Sequence, residues 1–229
     1  RGLGDVYKRQ GYILLWIMNP HRLPIKSWKQ ELTFAGAGLT GMTLYYLMEN
    51  IALTYSQASN VGVIVSIAPV FTAITAHIFL KEEGKLRPAF FMGCVIALIG
   101  ISLISFSGTT MHLNPIGDLL SVGGAIIWSF YSVLSKKIGS FGYSVVQATR
   151  RTFFYGILFM IPALFIFDFK WDLIRFATPA YLFNIFYLGL GASAICFVTW
   201  NMAVRILGAI KTSVYIYLAP VVTAVTSVI

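Results

Sequence analysis

The residue with the clearest potential for chemistry is Glu49, an acid about 16 residues inside a long apolar stretch. An ionised carboxylate in hydrocarbon costs a few kcal/mol unless it is paired or hydrated, so such acids often mark functional sites. Tyr45 and Tyr46 lie four and three residues before it, and helical spacing would place a phenol beside the carboxylate. The pattern predicts a carboxylate that pairs with an amine or carries a proton. The alternative is a side chain that reaches water at a membrane surface.

Two prolines interrupt apolar stretches at equivalent places. Ser66 and Tyr217 lie three residues before Pro69 and Pro220, respectively. A proline inside a helix removes a backbone hydrogen bond and leaves a carbonyl without its partner. Such a carbonyl is costly in lipid, so each break should face protein or a wet cavity. An ordinary packing kink is the alternative.

Aromatic residues complete the candidate site. Trp128 and Tyr131 lie one helical turn apart, and Trp200 lies 151 residues after Glu49. Together these positions predict an aromatic-walled pocket with few charges, suited to an amino acid or a lipophilic cation. Ordinary packing is the alternative for each ring. The predicted substrate-binding residues are Tyr45, Tyr46, Glu49, Ser66, Trp128, Tyr131, Trp200 and Tyr217, with helix breaks at Pro69 and Pro220.

These positions belong to an internal repeat. Ala68-Pro69-Val70 matches Ala219-Pro220-Val221 at an offset of 151 residues, and the same offset pairs Asn50 with Asn201 and Gly38 with Gly189. Five predicted spans separate equivalent positions of the two copies. Because five is odd, the second copy enters the membrane from the opposite side. Inverted repeats with matched broken helices are typical of secondary transporters. Glycines in both copies predict equivalent close helix crossings.

Composition indicates a membrane protein. The chain is 58% hydrophobic and 11% charged, against roughly 25% charged for a soluble domain. About 20 apolar residues cross a bilayer, and no soluble domain fits between the apolar stretches. The fold class predicted is an all-α polytopic membrane protein, an inverted-repeat bundle of five plus five helices when complete. An eighth apolar stretch, residues 11–18, is only a stub. Seven stretches reach the required length: 32–54, 58–80, 88–106, 116–135, 152–167 with its polar lead-in, 180–204 and 212–229.

The net charge of +9 orients the chain and does not indicate nucleic-acid binding. The opposite connections hold Lys170 and Arg175 with two acids. By the positive-inside rule the basic connections are cytoplasmic. Twelve cations fall in alternate connections: Arg22, Lys26, Lys29, Lys81, Lys85, Arg87, Lys136, Lys137, Arg150, Arg151, Arg205 and Lys211.

The repeat also predicts the domain organisation. Residues 1–10 carry four charges where a span should lie, so we interpret them as foreign or mis-joined sequence. Residues 11–107 form the first repeat, without its first helix and most of its second. Residues 108–229 form the second repeat, without its last helix. Cys94 and Cys196 lie in predicted spans, so no disulfide is expected, and we expect no metal, no cofactor and no catalytic residues.

Several motifs of the sequence resemble those of a known family. Ser59-Asn60 through Pro69, then Phe79-Leu80-x-Glu82, resembles the first-repeat pattern of EamA-like proteins of the drug/metabolite transporter superfamily. Gly117-Asp118-Leu119-Leu120 followed by Trp128 and Tyr131 is similar to the opening helix of their second repeat. The resemblance implies ten helices, cytoplasmic termini, a cell-membrane location, and export or exchange of small metabolites such as amino acids.

The function predicted is secondary transport of zwitterionic or cationic metabolites by alternating access. The alternative is a polytopic membrane enzyme or accessory subunit that shares the bundle without transport. Lys and Arg stay near the span ends, which disfavours strongly anionic substrates. The expected partners are a small-molecule substrate and the lipid bilayer, with no nucleic acid, and a homodimer is left open. For Asp118, at a predicted helix start, we expect interaction with free N–H groups and the helix dipole.

Overall fold

The computed structural model describes residues 12–20, 23–24, 27–80, 88–105, 114–166, 183–184, 187–220 and 222. Helix dominates these ranges and none of their residues lies in a strand, which confirms the predicted all-α class. The predicted foreign segment, residues 1–10, lies outside them. So do the acidic connection at Glu82 and most residues after Pro220.

The helices follow the apolar stretches closely. Helix α1 covers residues 12–18. A continuous helical run then comprises α2 (Trp28–Gly38), a π-helical segment (Leu39–Leu44) and α3 (Tyr45–Tyr55). The remaining helices are α4 (Ala58–Val65), α5 (Ala68–Phe79), α6 (Pro88–Ser105), α7 (Pro115–Gly139), α8 (Val145–Ile166), a π-helical segment (Tyr187–Ile195) that continues as α9 (Cys196–Leu207), and α10 (Ala209–Val214) followed by a 3₁₀ turn (Tyr215–Tyr217).

The local structure repeats with the sequence. The π-helical segments Leu39–Leu44 and Tyr187–Ile195 overlap at the 151-residue offset. Helix α4 ends at Val65, and a turn at 66–67 separates it from α5. The second copy shows the 3₁₀ turn at Tyr215–Tyr217 in the corresponding place. Interrupted helices therefore occur at matched positions in both repeats.

Pro69 differs in detail from the expected mid-helix kink. It lies in the first turn of α5, where its missing N–H would have no intrahelical acceptor and its fixed φ suits the helix. The chain thus begins a new helix at the proline. The break itself occurs just before it, where Ile67 donates its N–H to the Ile64 carbonyl over 3.1 Å.

By length and apolar composition, three helices in the described ranges can cross a membrane: Ala58–Phe79, Pro115–Gly139 and Tyr187–Leu207. A shorter apolar helix covers Pro88–Leu103. Helix α8 (Val145–Ile166) covers the polar lead-in and the described part of the predicted stretch 152–167, and it includes two arginines. Arg150 donates to the carbonyl of Asn19, and Arg151 pairs with Glu31.

The chain divides into two compact units. Unit 1 comprises Arg1–Thr43 and Leu134–Ile206. Its central feature is the packing of α2 on α8, made possible by two glycines. A Cβ on Gly38 would lie 2.7 Å from the Gly156 nitrogen, and one on Gly156 would overlap the Met42 Cβ. Only glycine allows the two backbones to approach this closely.

Unit 2 comprises Leu44–Val133 and Leu207–Ile229. Helix α5 packs against α10, and both helices carry small buried residues, including Ala73 and Ala209. Helix α3 lies along the first part of α7. A Cβ on Gly117 would lie 2.8 Å from the Ser56 Cβ, and one on Gly123 would lie 3.1 Å from the Met48 sulfur. This crossing positions the candidate site.

Candidate substrate-binding site

An aromatic–acid cluster occupies unit 2, formed by Tyr45, Tyr46 and Glu49 from α3 and by Trp128 and Tyr131 from α7. The Tyr45 hydroxyl donates to Glu49 Oε1 over 3.2 Å, the i, i+4 contact that the sequence spacing predicts. The Tyr45 ring lies 4.9 Å from the Trp128 ring, centre to centre. Two helices therefore bring the Glu49 carboxylate, its Tyr45 partner and the Trp128 ring into one cluster.

The remaining rings extend the cluster in two directions. The Tyr46 ring lies 5.3 Å from that of Tyr45, edge to face. The Tyr131 ring lies 5.1 Å from that of Trp128. Tyr131 is 1% exposed, whereas Tyr45, Tyr46, Glu49 and Trp128 are half-buried. Tyr131 is therefore buried against Trp128, whereas the other four side chains keep part of their surface exposed.

Glycines on α7 explain why these side chains meet. Gly123 and Gly124 lie opposite Met48 and Tyr45, and a Cβ on Gly124 would be 3.9 Å from either side chain. A Cβ on Gly123 would lie 3.1 Å from the Met48 sulfur, whereas one on Gly124 would make only ordinary contact. The lack of a side chain at Gly123 therefore helps α3 to approach α7 beside Tyr45. Met48 was not among the predicted site residues. Its spacing of three residues from Tyr45 was the signal that could have identified it.

Ser66 and Tyr217 lie elsewhere in unit 2. Ser66 is 3% exposed, and its hydroxyl donates to the Gly62 carbonyl of its own helix over 2.7 Å. The Tyr217 hydroxyl is buried beside the Cys94 thiol of α6. Pro69 is fully buried and Pro220 is half-buried. The predicted roles of these residues at the helix breaks stay predictions.

Trp200, the repeat counterpart of Glu49, belongs to unit 1 and is half-buried there. Its neighbour Asn201 makes a connection that sequence reasoning missed. The Asn201 Oδ1 accepts from the Ser135 hydroxyl over 2.6 Å, and its Nδ2 donates to Thr149 Oγ1 over 2.9 Å. One amide thus joins α7, α8 and α9 within unit 1. One sequence does not show that Asn201 meets Ser135 and Thr149, because these residues lie far apart along the chain.

The start of α7 also differs from expectation. Asn114 Oδ1 accepts the backbone N–H groups of Ile116 and Gly117 at 3.1 and 3.2 Å. Asn114 therefore supplies the hydrogen bonds to free N–H groups that we had expected from Asp118. Asp118 remains in the first turn of the helix, where its charge still suits the dipole.

The described residues contain no group of three or more His, Cys, Asp or Glu side chains able to hold a metal ion. Cys94 and Cys196 are free thiols. In the aromatic–acid cluster, the group able to carry charge is the Glu49 carboxylate. The arrangement is suited to reversible binding of a positively charged group: the carboxylate offers charge, and Tyr45, Tyr46 and Trp128 offer ring faces.

Comparisons with known proteins identify the family to which the chain belongs. The model of the EamA-like transporter family matches residues 11–106 and 115–229, so the chain belongs to that family. An uncharacterized transporter of Archaeoglobus fulgidus is 26% identical over 93% of this chain and 72% of its own length. A probable terminal-alkyne amino-acid exporter of Streptantibioticus cattleyicolor is 26% identical over 83% of this chain and 62% of its own length.

A crystal structure matches the fold with a TM-score of 0.72 and 19% identity, over 98% of this chain and 78% of the other. The likeness shows a shared helical architecture. The family match confirms the resemblance inferred from the sequence motifs. The chain is thus a membrane protein of a transporter family, and the family and relatives indicate transport rather than catalysis.

Proposed function

We propose that the complete protein is a secondary transporter of small metabolites that carry an amine, either zwitterions such as amino acids or organic cations. The observation that carries this proposal is the aromatic–acid cluster of unit 2. Glu49 lies within hydrogen-bond distance of Tyr45, whose ring contacts Trp128. A carboxylate with neighbouring ring faces is the arrangement that attracts an ammonium group, by charge and by cation–π interaction.

The distribution of cations supports the same substrate class. Among the described residues of unit 2, Lys211 is the only lysine or arginine, and its side chain is exposed. A strongly anionic substrate would require a cation inside the bundle, because a buried negative charge needs a partner. The described part of unit 2 supplies none near Glu49.

Alternating access by the two repeats is the mechanism we propose, with export across the cell membrane as its direction. Matched helix interruptions before Pro69 and Pro220 support the mechanism, since broken helices in equivalent halves let a central site open to each side in turn. Export is supported by the relative named as a probable amino-acid exporter.

Transport into proteoliposomes tests the proposal. The complete protein would be assayed with L-phenylalanine, L-lysine and tetraphenylphosphonium, and with citrate as the anionic comparison. We expect movement of at least one amine or cation and none of citrate. Movement of citrate alone would reject the substrate class, and movement of none of the four would reject the proposal as stated.

The Glu49→Gln variant tests the site. Replacing the charge with an amide should lower transport about thirtyfold, since a hydrogen bond to a charged group contributes roughly 1.5–3 kcal/mol, while folding stays near normal. The pH dependence should also flatten if this carboxylate carries a proton. Tyr55→Phe, on the exposed part of the same helix, is the control for nonspecific effects. Unchanged transport would assign Glu49 to the hydrated outer surface.

A further inference from the structure

A buried ionic contact joins α2 to α8 within unit 1. The Glu31 side chain is 6% exposed, and its Oε2 accepts from the Arg151 NH2 nitrogen at 2.9 Å and from Nε at 3.1 Å. The Tyr155 hydroxyl donates to the same oxygen. The three hydrogen bonds that Glu31 Oε2 accepts therefore all come from α8. We call these three residues the Glu31 clamp.

Aromatic rings shield the other side of the contact. The Arg151 guanidinium carbon lies 5.6 Å from the Tyr155 ring centre and 5.7 Å from that of Phe154. Tyr155 thus contacts both charges, the carboxylate by its hydroxyl and the guanidinium by its ring. The Arg151 side chain is 25% exposed and that of Glu31 only 6%. Loss of Arg151 is therefore destabilising chiefly because the buried Glu31 carboxylate is left without its charge partner. Separation of α2 from α8 would have the same consequence unless water entered.

The two helices are also held together beyond the clamp. At Gly38 and Gly156 their backbones are too close for even one added methyl group. The Thr43 hydroxyl then donates to the Gly156 carbonyl over 3.1 Å. The ion pair, the close backbone packing and the Thr43 hydrogen bond therefore follow one another along this pair of helices.

The helices of this pair come from different repeats. Helix α2 lies in the first family match, residues 11–106, and α8 lies in the second, residues 115–229. We propose that the Glu31 clamp stays closed through the whole working cycle, so that α2 and α8 move as one body drawn from both repeats. The moving parts of this protein would then differ from its sequence repeats.

Cross-linking tests this directly. Glu31→Cys and Arg151→Cys would be combined in the complete protein, in a background with Cys94→Ser and Cys196→Ser, and joined with o-phenylenedimaleimide. We expect an efficient cross-link and counterflow of L-phenylalanine within about twofold of the same variant before cross-linking. The two single-cysteine variants, treated identically, control for the reagent. Failure to cross-link, or a loss of about tenfold or more specific to the linked protein, would overturn the proposal.

A second measurement needs no substrate and decides the matter if L-phenylalanine is not carried. Thermal unfolding in detergent would compare Glu31→Arg, Arg151→Glu and the double exchange. Each single variant should lower Tm, and the double exchange should recover most of the loss, since the pair is restored with reversed sign. Single variants with unchanged Tm, or a double exchange no better than the singles, would show that the contact does not hold the helices together.

Discussion

The two units use different means to bring their helices together. In unit 1, polar ties dominate: Glu31 accepts from Arg151 and Tyr155, and Asn201 joins Ser135 to Thr149. In unit 2, the α3–α7 contact is close at Gly117, but beside the candidate site it relies on ring faces and on Met48 against Gly123. Hydrogen bonds fix direction and distance, whereas rings and a thioether tolerate adjustment. The comparison suggests a rigid element in unit 1 and an adaptable binding surface in unit 2.

Repeat counterparts show the same contrast at single positions. Asn50 and Asn201 are equivalent in sequence, but the Asn50 side chain is exposed and donates to the Tyr46 carbonyl of its own helix. Asn201 instead joins three helices. Equivalent positions in the two repeats therefore have different environments, so a role assigned to one copy cannot be transferred to the other.

The largest effect is expected at the backbone crossing of unit 1. Gly38→Ala should destabilise the protein by about 3 kcal/mol, at the upper end of overpacking costs, because the new methyl would meet backbone atoms that cannot rotate away. Gly93→Ala is the matched control, since its Cβ would meet nothing within 4 Å. Thermal or denaturant unfolding in detergent measures both. Equal stability of the two variants would contradict the assignment of unit 1 as the rigid element.

Trp128→Ala should weaken binding of L-phenylalanine or tetraphenylphosphonium about tenfold while leaving the bundle folded. Removing a ring face loses a cation–π or stacking contact of roughly 1–2 kcal/mol. Trp28→Ala, at a position that is 74% exposed, provides the control. Equilibrium binding by scintillation proximity would show the difference. If both variants bound equally well, the aromatic surface of unit 2 would have only a packing role.

Asn201→Ala should destabilise the protein by about 1–2 kcal/mol, as expected for interhelical hydrogen bonds inside a membrane bundle. Asn50→Ala should change stability by less than about 0.5 kcal/mol, because its bond is local and solvent-exposed. Unfolding of the two variants under one set of conditions compares the repeats directly. A larger loss of stability for Asn50→Ala than for Asn201→Ala would contradict the difference between the two repeats.

A smaller stability cost than at Gly38 is expected for Gly123→Ala. Its methyl would lie 3.1 Å from the Met48 sulfur, the end of a flexible side chain that can rotate, so the stability cost should stay below about 1 kcal/mol. Ligand selectivity should change although stability is nearly unaffected, because the Met48 side chain would move beside Tyr45. A stability loss as large as that of Gly38→Ala would show that unit 2 is no more adaptable than unit 1.

The candidate site was partly predictable because some of its contacts are local. Helical spacing placed Tyr45 near Glu49 and Trp128 near Tyr131, and the structure brings both pairs together. The contact between Tyr45 and Trp128 joins residues far apart in sequence, so it depends on how α3 crosses α7. The Glu31 clamp was missed for the same reason, since Arg151 looked like an orienting charge in a basic connection.

The sequence by itself determined the class of protein. Apolar length, the 151-residue repeat and the family motifs require only composition and order along the chain, and the family match agrees with them. The tertiary structure decided which side chains meet. It placed Pro69 at the start of a helix, gave Asn201 three helices to join, and buried Glu31 against Arg151. Long-range contacts depend on helix crossings, and small residues such as Gly38 and Gly123 determine how closely those helices approach.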